Sequence, residues 1–187
     1  MREASVDTGA QKLASRPSQF RDTFNPKSFI AIPEVSSERR IYIPIAYFGE
    51  ETIASNTTQI IANAEIFHFG ILTSVMHMEW MRYVAGRLES RYRYSSSIVY
   101  NNFPWPQKPT DLQKLRVEKA AKKVLNIRTE FPESSLADLY DPLTMPPKLV
   151  NAHHDLDKAV DLCYRQKPFT NQTERIEFLF ELYNEYK

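Results

Sequence analysis

The longest apolar stretch before residue 107 runs over residues 67–89, and it constrains the fold more than any other feature. Ile71, Val75, Met78, Met81, Ala85 and Leu88 recur at helical spacing, while Leu72, Met76, Trp80 and Tyr83 fall on other faces. A helix apolar on most sides must be enclosed by other structure. The first half is therefore expected to be built around a buried helix, with Gly86 weakening the pattern near its end. Short strands are expected around it at residues 29–33, 41–45 and 59–62, then 91–94 and 97–100. Pro33 stops the first of these, and Pro44 suits an edge or bulge in the second. A short helix fits residues 8–15.

The run Phe103-Pro104-Trp105-Pro106 ends regular structure. Beyond it the pattern is helical. Thr110 with Gln113 forms a capping box before a helix to about residue 130, with Leu112, Leu115, Ala120, Ala121, Val124 and Leu125 as its apolar stripe. Residues 136–140 read as a short helix, and Met145-Pro146-Pro147 opens another reaching Arg165. Asn171 with Glu174 caps a last one carrying Ile176, Leu179, Phe180 and Tyr183. The expected class is α+β: a mixed part with short strands around a buried helix, residues 1–107, then an all-helical part, residues 108–187.

Formal charge is +1, so the whole chain carries no electrostatic signature of a nucleic-acid binder. Its distribution says more. Before residue 107 nearly every base is arginine (Arg2, Arg16, Arg21, Arg39, Arg40, Arg82, Arg87, Arg91 and Arg93), and after Lys108 lysine dominates. Arginine suits bidentate contacts to phosphate and guanine; lysine on a helix reads first as a solvated face. Within Arg91-Tyr92-Arg93-Tyr94 a strand would turn both arginines to one face and both tyrosines to the other. Such a row can meet phosphates or base edges; the plainer alternative is a solvated strand with a surface ion pair such as Glu89 with Arg93.

Other chemistry finds little support. His153 and Asp157 stand one helical turn apart with His154 and Asp155 between them, but His153 lies on the stripe of Leu149, Leu156 and Val160 and no third ligand has a recognised spacing. A structural role is expected, and no metal. Cys163, the only cysteine, sits among Val160, Leu162 and Tyr164 and reads as buried and inert. It permits no intrachain disulfide and suits a reducing cytoplasm. No signal peptide or membrane-length apolar run is visible.

Three runs carry a family likeness: His68-Phe69-Gly70-Ile71-Leu72-Thr73-Ser74 through Trp80; residues 86–95, Gly86-Arg87-Leu88-Glu89-Ser90-Arg91-Tyr92-Arg93-Tyr94-Ser95; and Val99-Tyr100-Asn101-Asn102-Phe103-Pro104-Trp105-Pro106. Together they resemble the target-recognition domain of MmeI-like type II restriction–modification enzymes, which fuse an endonuclease to an adenine methyltransferase. Val35-Ser36-Ser37-Glu38-Arg39-Arg40 with Tyr42-Ile43-Pro44 is similar to an earlier segment of that family. Leu136-Ala137-Asp138-Leu139-Tyr140-Asp141, Met145-Pro146-Pro147 and Leu156-Asp157-Lys158-Ala159-Val160-Asp161 resemble its C-terminal helical region. Before Phe29 the match is weakest, though Lys12-Leu13-Ala14 with Pro17 and Phe20 fits.

The resemblance implies a DNA-recognition segment of an adenine-N6 methyltransferase. Its partners would be double-stranded DNA and the methyltransferase domain of the same polypeptide, with S-adenosylmethionine bound by that parent and no cofactor here. The alternative is a protein-interaction module docking on the parent's other domains. Asn25-Pro26-Lys27-Ser28 and Asn102-Phe103-Pro104-Trp105 only partly imitate the Asp/Asn-Pro-Pro-Tyr/Phe motif of adenine methyltransferases, and no glycine-rich strand-to-helix turn or G-x-S-x-G elbow occurs. No catalytic residue is assigned, and the segment alone is expected to be inactive. The lack of a clear domain start suits an excised fragment. The resemblance implies DNA contact by Arg87, Arg91, Arg93 and Ser95, and by Ser37, Glu38, Arg39 and Arg40 near the groove. Thr73, Val75 and His77 are expected to read bases, although Val75 also falls on the helix stripe and has a plain core reading.

Overall fold

The computed structural model of the chain describes residues 3–16, 26–55 and 57–186. Arg2, Pro17, Phe20, Arg21 and Asn25, which entered the sequence reading, lie outside the described residues. A short helix α1 (Thr8–Lys12) precedes two small antiparallel sheets. In the first, β1 (Ser28–Pro33) lies between β3 (Ala46–Gly49) and β4 (Thr58–Ala62). In the second, β6 (Arg91–Arg93) lies between β2 (Val35–Ser36) and β5 (Gly86–Leu88).

The apolar stretch is two helices rather than one, α2 (Ile66–Leu72) and α3 (Val75–Val84), followed by the β5–β6 hairpin. The break falls at Thr73–Ser74, where the Ser74 hydroxyl donates to the Ile71 carbonyl at 2.7 Å. Ser74 makes no side-chain cap to α3. Instead Asp157, far along the chain, accepts the Val75 amide at 2.7 Å. A carboxylate at a helix N-terminus meets both an orphan amide and the positive end of the dipole. Tyr42 donates to its other oxygen at 2.6 Å.

Segment 41–45 is not a strand, contrary to expectation. Its backbone is satisfied by other means: the Ile43 amide points to the Met78 sulfur, and the Ile45 amide closes a tight turn across Pro44 onto the Ile43 carbonyl at 2.8 Å. Arg82 donates to the Ile41 carbonyl at 2.6 Å, and Arg128 to that of Ile45 at 2.8 Å. Residues Ser96–Tyr100 form a π-helix instead of a strand. Here the Trp80 indole takes the Val99 carbonyl, and the Asn102 amide takes those of Ser97 and Ile98, so no partner strand is required.

Helices α4 (Asp111–Arg128), α5 (Leu136–Leu139), α6 (Pro147–Tyr164) and α7 (Gln172–Glu185) complete the chain. The Thr110–Gln113 capping box and the Asn171 cap on Glu174 form as the sequence indicates. The core side of α4 differs from the expected stripe: Val117, Ala121, Val124, Ile127 and Arg128 are buried, whereas Leu112 and Leu115 are exposed at 57% and 61%. One hydrophobic core runs through both halves, joining Ile71 and Leu72 to Val117, Leu149 and Leu156. The contact is closest at Gly70 of α2, where an added Cβ would stand 2.6 Å from Val117 Cγ1 and 3.3 Å from Ala121 Cβ.

Gly70→Ala should therefore destabilise. Overpacking typically costs about 1–3 kcal/mol, and Ala recovers roughly 1 kcal/mol of helix propensity, leaving a net loss of up to about 2 kcal/mol in denaturant unfolding. Adding Val117→Ala should restore much of it, because β-branched Val117 cannot swing away; an unchanged midpoint in the single variant would show that α2 and α4 are not in close register. A second expectation concerns Asp157, whose carboxyl is pushed up to about 7, first by burial and also by Asp161, against the opposing pull of Tyr42, the Val75 amide and Arg175. Its stabilisation is complete below the unfolded-state value and lost as pH rises through about 7. Asp157→Asn cannot ionise, so the stability of the variant relative to wild type should improve steadily from pH 4 to 7, as read by urea unfolding at each pH. A constant difference would place that titration elsewhere.

Candidate nucleic-acid interface

The β5–β6 hairpin is the most exposed regular structure in the first half. Every residue from 86 to 91 is exposed, and so is Arg93. Leu88 pairs with Arg91, leaving Glu89 and Ser90 as a two-residue tip. Glu89 adopts φ 58°, the left-handed region that non-glycine residues enter rarely. Its carboxylate holds Arg91 at 2.9 Å, with both side chains largely exposed; the pairing with Arg93 considered from sequence is not the one formed.

Strand alternation sorts the side chains as the sequence indicates. Arg91 and Arg93 are exposed, while Tyr92 and Tyr94 are buried at 7% and 4% exposure. The register then separates Arg87 from the other two. Arg87 lies opposite Tyr92, whereas Gly86 and Leu88 lie opposite Arg93 and Arg91. The Arg87 guanidinium stacks over the Tyr92 ring at 4.0 Å and donates to the Ser90 carbonyl at 3.1 Å. Arg93 makes no ion pair among the described residues. It borders a cleft of about 370 Å³ together with Arg87, Ser95, Glu34 and Gln59. The Gln59 amide donates to Glu34 at 2.6 Å across that cleft. Sequence reasoning gave no role to Glu34, in the bend between β1 and β2, or to Gln59, at the start of the strand expected over residues 59–62. The Ser95 hydroxyl is engaged with Ser97 at 2.9 Å.

The antiparallel pairing of β2 with β6 carries the chain from Ser36 toward the Arg91 end of the sheet. The turn of residues 37–40 thus emerges on the side of the hairpin tip. Within it the Ser37 hydroxyl accepts the Arg39 amide at 3.3 Å, and Glu38 and Arg39 are exposed. Arg40 is committed elsewhere: its guanidinium donates to the Ala137 carbonyl at 3.2 Å, tying this turn to α5.

Thr73, Val75 and His77 occupy a different environment. Thr73 and His77 have 0% exposure, and the Val75 amide is the one held by Asp157. His77 lies 2.8 Å from the Leu72 carbonyl through Nδ1 and 3.1 Å from the Tyr94 hydroxyl through Nε2. A carbonyl only accepts, so Nδ1 carries the proton and Nε2 accepts from Tyr94. Burial pushes this imidazole down to about 4, so it is neutral at physiological pH. With no surface to offer a base edge, His77 and Thr73 act inside the fold. His77 also packs edge-on against Phe103 at 5.0 Å, so it supports Tyr94 and the strand that carries the arginines.

His153 is likewise internal. It accepts from the Tyr140 hydroxyl at 2.6 Å and stacks on Tyr42 at 4.1 Å, and burial holds its pKa well below the usual range. Among the described residues no group of three His, Cys, Asp or Glu side chains could hold a metal ion. Cys163 is buried, and its thiol is pushed up to about 11 by burial, the reverse of what a nucleophile needs. No helix among the described residues is long and apolar enough to cross a membrane.

Comparison with known proteins gives these features a class. The family model of the MmeI target recognition domain matches residues 1–107, and that of the MmeI C-terminal domain matches residues 109–187. The architecture is a target-recognition domain with its helical C-terminal companion. The chain belongs to the MmeI family. DNA methyltransferase A of Bacillus subtilis (strain 168) is 47% identical over 185 residues, which is 98% of this chain and 21% of that protein. A solved structure of the type IIL restriction-modification enzyme MmeI in complex with DNA superposes with a TM-score of 0.83 at 47% identity, covering 98% of this chain and 25% of the other. The chain thus spans about a fifth to a quarter of the length of these relatives.

Burial separates two kinds of substitution. His77→Ala strands the Leu72 carbonyl and the Tyr94 hydroxyl and should cost about 2–4 kcal/mol in urea unfolding. Arg93→Ala removes only exposed surface and should stay within about 0.5 kcal/mol of wild type. Equal losses for the two would contradict this division.

Proposed function

We propose that this chain is the DNA-recognition segment of a restriction–modification enzyme that methylates adenine at N6, with S-adenosylmethionine bound by a catalytic part outside this sequence. The observation that carries the reading is the exposed hairpin with Arg91 and Arg93 on one face, backed by buried Tyr92 and Tyr94. The major groove of B-DNA admits a two-stranded ribbon. Side chains two residues apart on a strand rise about 6.8 Å, close to two base-pair steps of about 3.4 Å each. Arg91 and Arg93 can therefore address positions two base pairs apart along one strand. Arg39, on the turn at the tip side of the sheet, extends the cationic edge, and Ser37, Glu38 and Ser95 supply neutral or anionic hydrogen-bonding groups beside it. Arg87 stiffens the hairpin from its other face while bordering the same cleft as Arg93.

The relatives support this reading: one is named a DNA methyltransferase, and the other was solved with DNA. The residues present do not fit the cofactor. Gly9, Gly49, Gly70 and Gly86 lie in a helix or strand, and none has a positive φ. No glycine-rich turn is available to cradle S-adenosylmethionine, which is assigned to the catalytic part. The chain's own work is to grip and orient the duplex while a flipped adenine is presented elsewhere. Residues 1–107 read sequence, and residues 108–187 support them and meet the methyltransferase domain. The protein-interaction reading survives only as this supporting role. A cytoplasmic setting suits an enzyme acting on DNA and a single unpaired thiol.

Binding of the full-length enzyme to cognate and unrelated duplexes at about 50 and 200 mM salt tests the proposal. Arg91→Ala and Arg93→Ala should each weaken binding by about 1–3 kcal/mol. Relaxed preference at one base pair would identify a base contact, and a salt slope reduced by about 1 with uniform weakening would identify a phosphate contact. If the double variant keeps both affinity and slope, the hairpin does not face DNA.

A further inference from the structure

Helices α4 and α6 form a groove of about 1020 Å³ on the outside of the helical half, remote in sequence from the hairpin. Leu115, Ala120, Ala159 and Leu162 give it an apolar lining. Six cations border it (Arg116, Lys119, Lys122, Lys123, Lys148 and Lys158) against three carboxylates, Glu118, Glu130 and Asp155. Lys123 is paired with Asp155 at 2.7 Å and Lys148 with Glu130 at 2.5 Å. Arg116, Lys119 and Lys122 make no ion pair among the described residues. Beside them Leu112 and Leu115 stand exposed, because α4 turns Val117, Ala121, Val124 and Ile127 to the core. Two exposed leucines one turn apart next to three unpaired cations are not accounted for by the packing of this chain.

We propose that this groove receives an acidic amphipathic helix from the catalytic part of the same enzyme, its apolar side on Leu112, Leu115 and Leu162 and its carboxylates on Arg116, Lys119 and Lys122. The inference rests on the reading of the chain as one segment of a longer methyltransferase. Charge and shape together select the occupant. A phosphate backbone would satisfy the cations but has no apolar side to cover the leucines. An acidic helix satisfies both, and inter-domain interfaces are typically this mixed. The relatives supply the candidate polypeptide, since the matched segment is only 21% and 25% of their lengths. A second copy is the weaker occupant. The exposed acidic stripe Glu177, Glu181 and Glu185 on α7 would dock into it head to tail, an arrangement that propagates unless its rotation closes.

The test places a photoreactive benzoylphenylalanine at Leu115 or Lys119 of the full-length enzyme, with position 143 as a control because Leu143 is 90% exposed. Cross-links within one chain, to an apolar helix flanked by Asp or Glu outside this segment, are expected. With the probe at Leu115, Lys119→Glu with Lys122→Glu should cut their yield by about tenfold or more, since like charges across an interface repel strongly, and reversing the identified carboxylates to lysine should restore it. Cross-links to α7 of a second copy, to DNA, or no more frequent than from position 143 would overturn the proposal, as would insensitivity to charge reversal. DNA affinity measured in parallel separates the two readings. Loss of affinity in Arg91→Ala/Arg93→Ala without these cross-links sinks the docking site alone; their presence without DNA binding sinks the recognition reading alone.

Discussion

The start of α3 is held by a carboxylate that belongs to α6, and the placement of the hairpin follows from that contact. Asp157 accepts the Val75 amide with one oxygen and the Tyr42 hydroxyl with the other. It thereby fixes a helix terminus and the irregular segment 41–45 at one point. The far end of α3 runs directly into β5, so the orientation of the exposed arginines is inherited from a residue in the helical half. A second anchor lies nearby: Arg128 of α4 bonds the Ile45 carbonyl and the Tyr140 hydroxyl, and Tyr140 in turn donates to His153. These are buried polar contacts in which each group is costly to leave alone, so they fix one relative placement of the two halves. The proline-rich junction is clamped in the same spirit, with Tyr164 bonding the Pro104 carbonyl and Tyr186 that of Trp105. Residues 1–107 and 108–187 differ in composition and share a core.

Local signals read from the sequence where local physics decides. The capping residues of α4 and α7 and the prolines opening α6 act within one turn, and they mark helix starts correctly. The alternation of Arg91 to Tyr94 is likewise a property of the strand itself. Long-range contacts decide the rest. Segment 41–45 has strand composition, but side chains from α3 and α4 take its backbone groups and leave nothing for a sheet. The 67–89 stretch breaks at Thr73 because Asp157, some eighty residues away, caps the next helix. Thr73 and His77 look like polar residues on a helix awaiting a ligand; Tyr94 and the Leu72 carbonyl are the partners His77 finds. Arg87 belongs by sequence with Arg91 and Arg93, but a two-residue hairpin tip reverses the chain and puts it opposite Tyr92.

A near-neutral chain still presents a cationic edge because its charges are sorted by depth. Arg82 is spent on Glu79, Arg175 on Asp161 and Arg165 on Glu174, all partly or largely enclosed. Arg128 is buried on neutral oxygens and aromatic rings. At the hairpin end of the second sheet Arg39 and Arg93 make no ion pair among the described residues, and Arg91 has only the exposed Glu89 at the tip; on α4, Arg116 is likewise exposed and unpaired among them. Net charge averages over these populations and hides the one that faces outward.

Strands of two and three residues cannot hold side chains rigidly by backbone pairing alone. What steadies this sheet is the aromatic layer beneath it. Tyr94 donates to His77, His77 meets Phe103 edge-on, and Phe103 packs against Trp80 and Trp105. Arg87 closes the layer from the edge over Tyr92. The arrangement separates support from contact: aromatic and buried polar residues fix where the strand lies, while the outward positions carry charge without bearing on the fold. A recognition surface built this way can exchange its exposed residues at little cost in stability, since none of Arg39, Arg91 and Arg93 holds a buried partner. The buried residues Thr73 and His77 lie inside this support, and His77 holds Tyr94 in place.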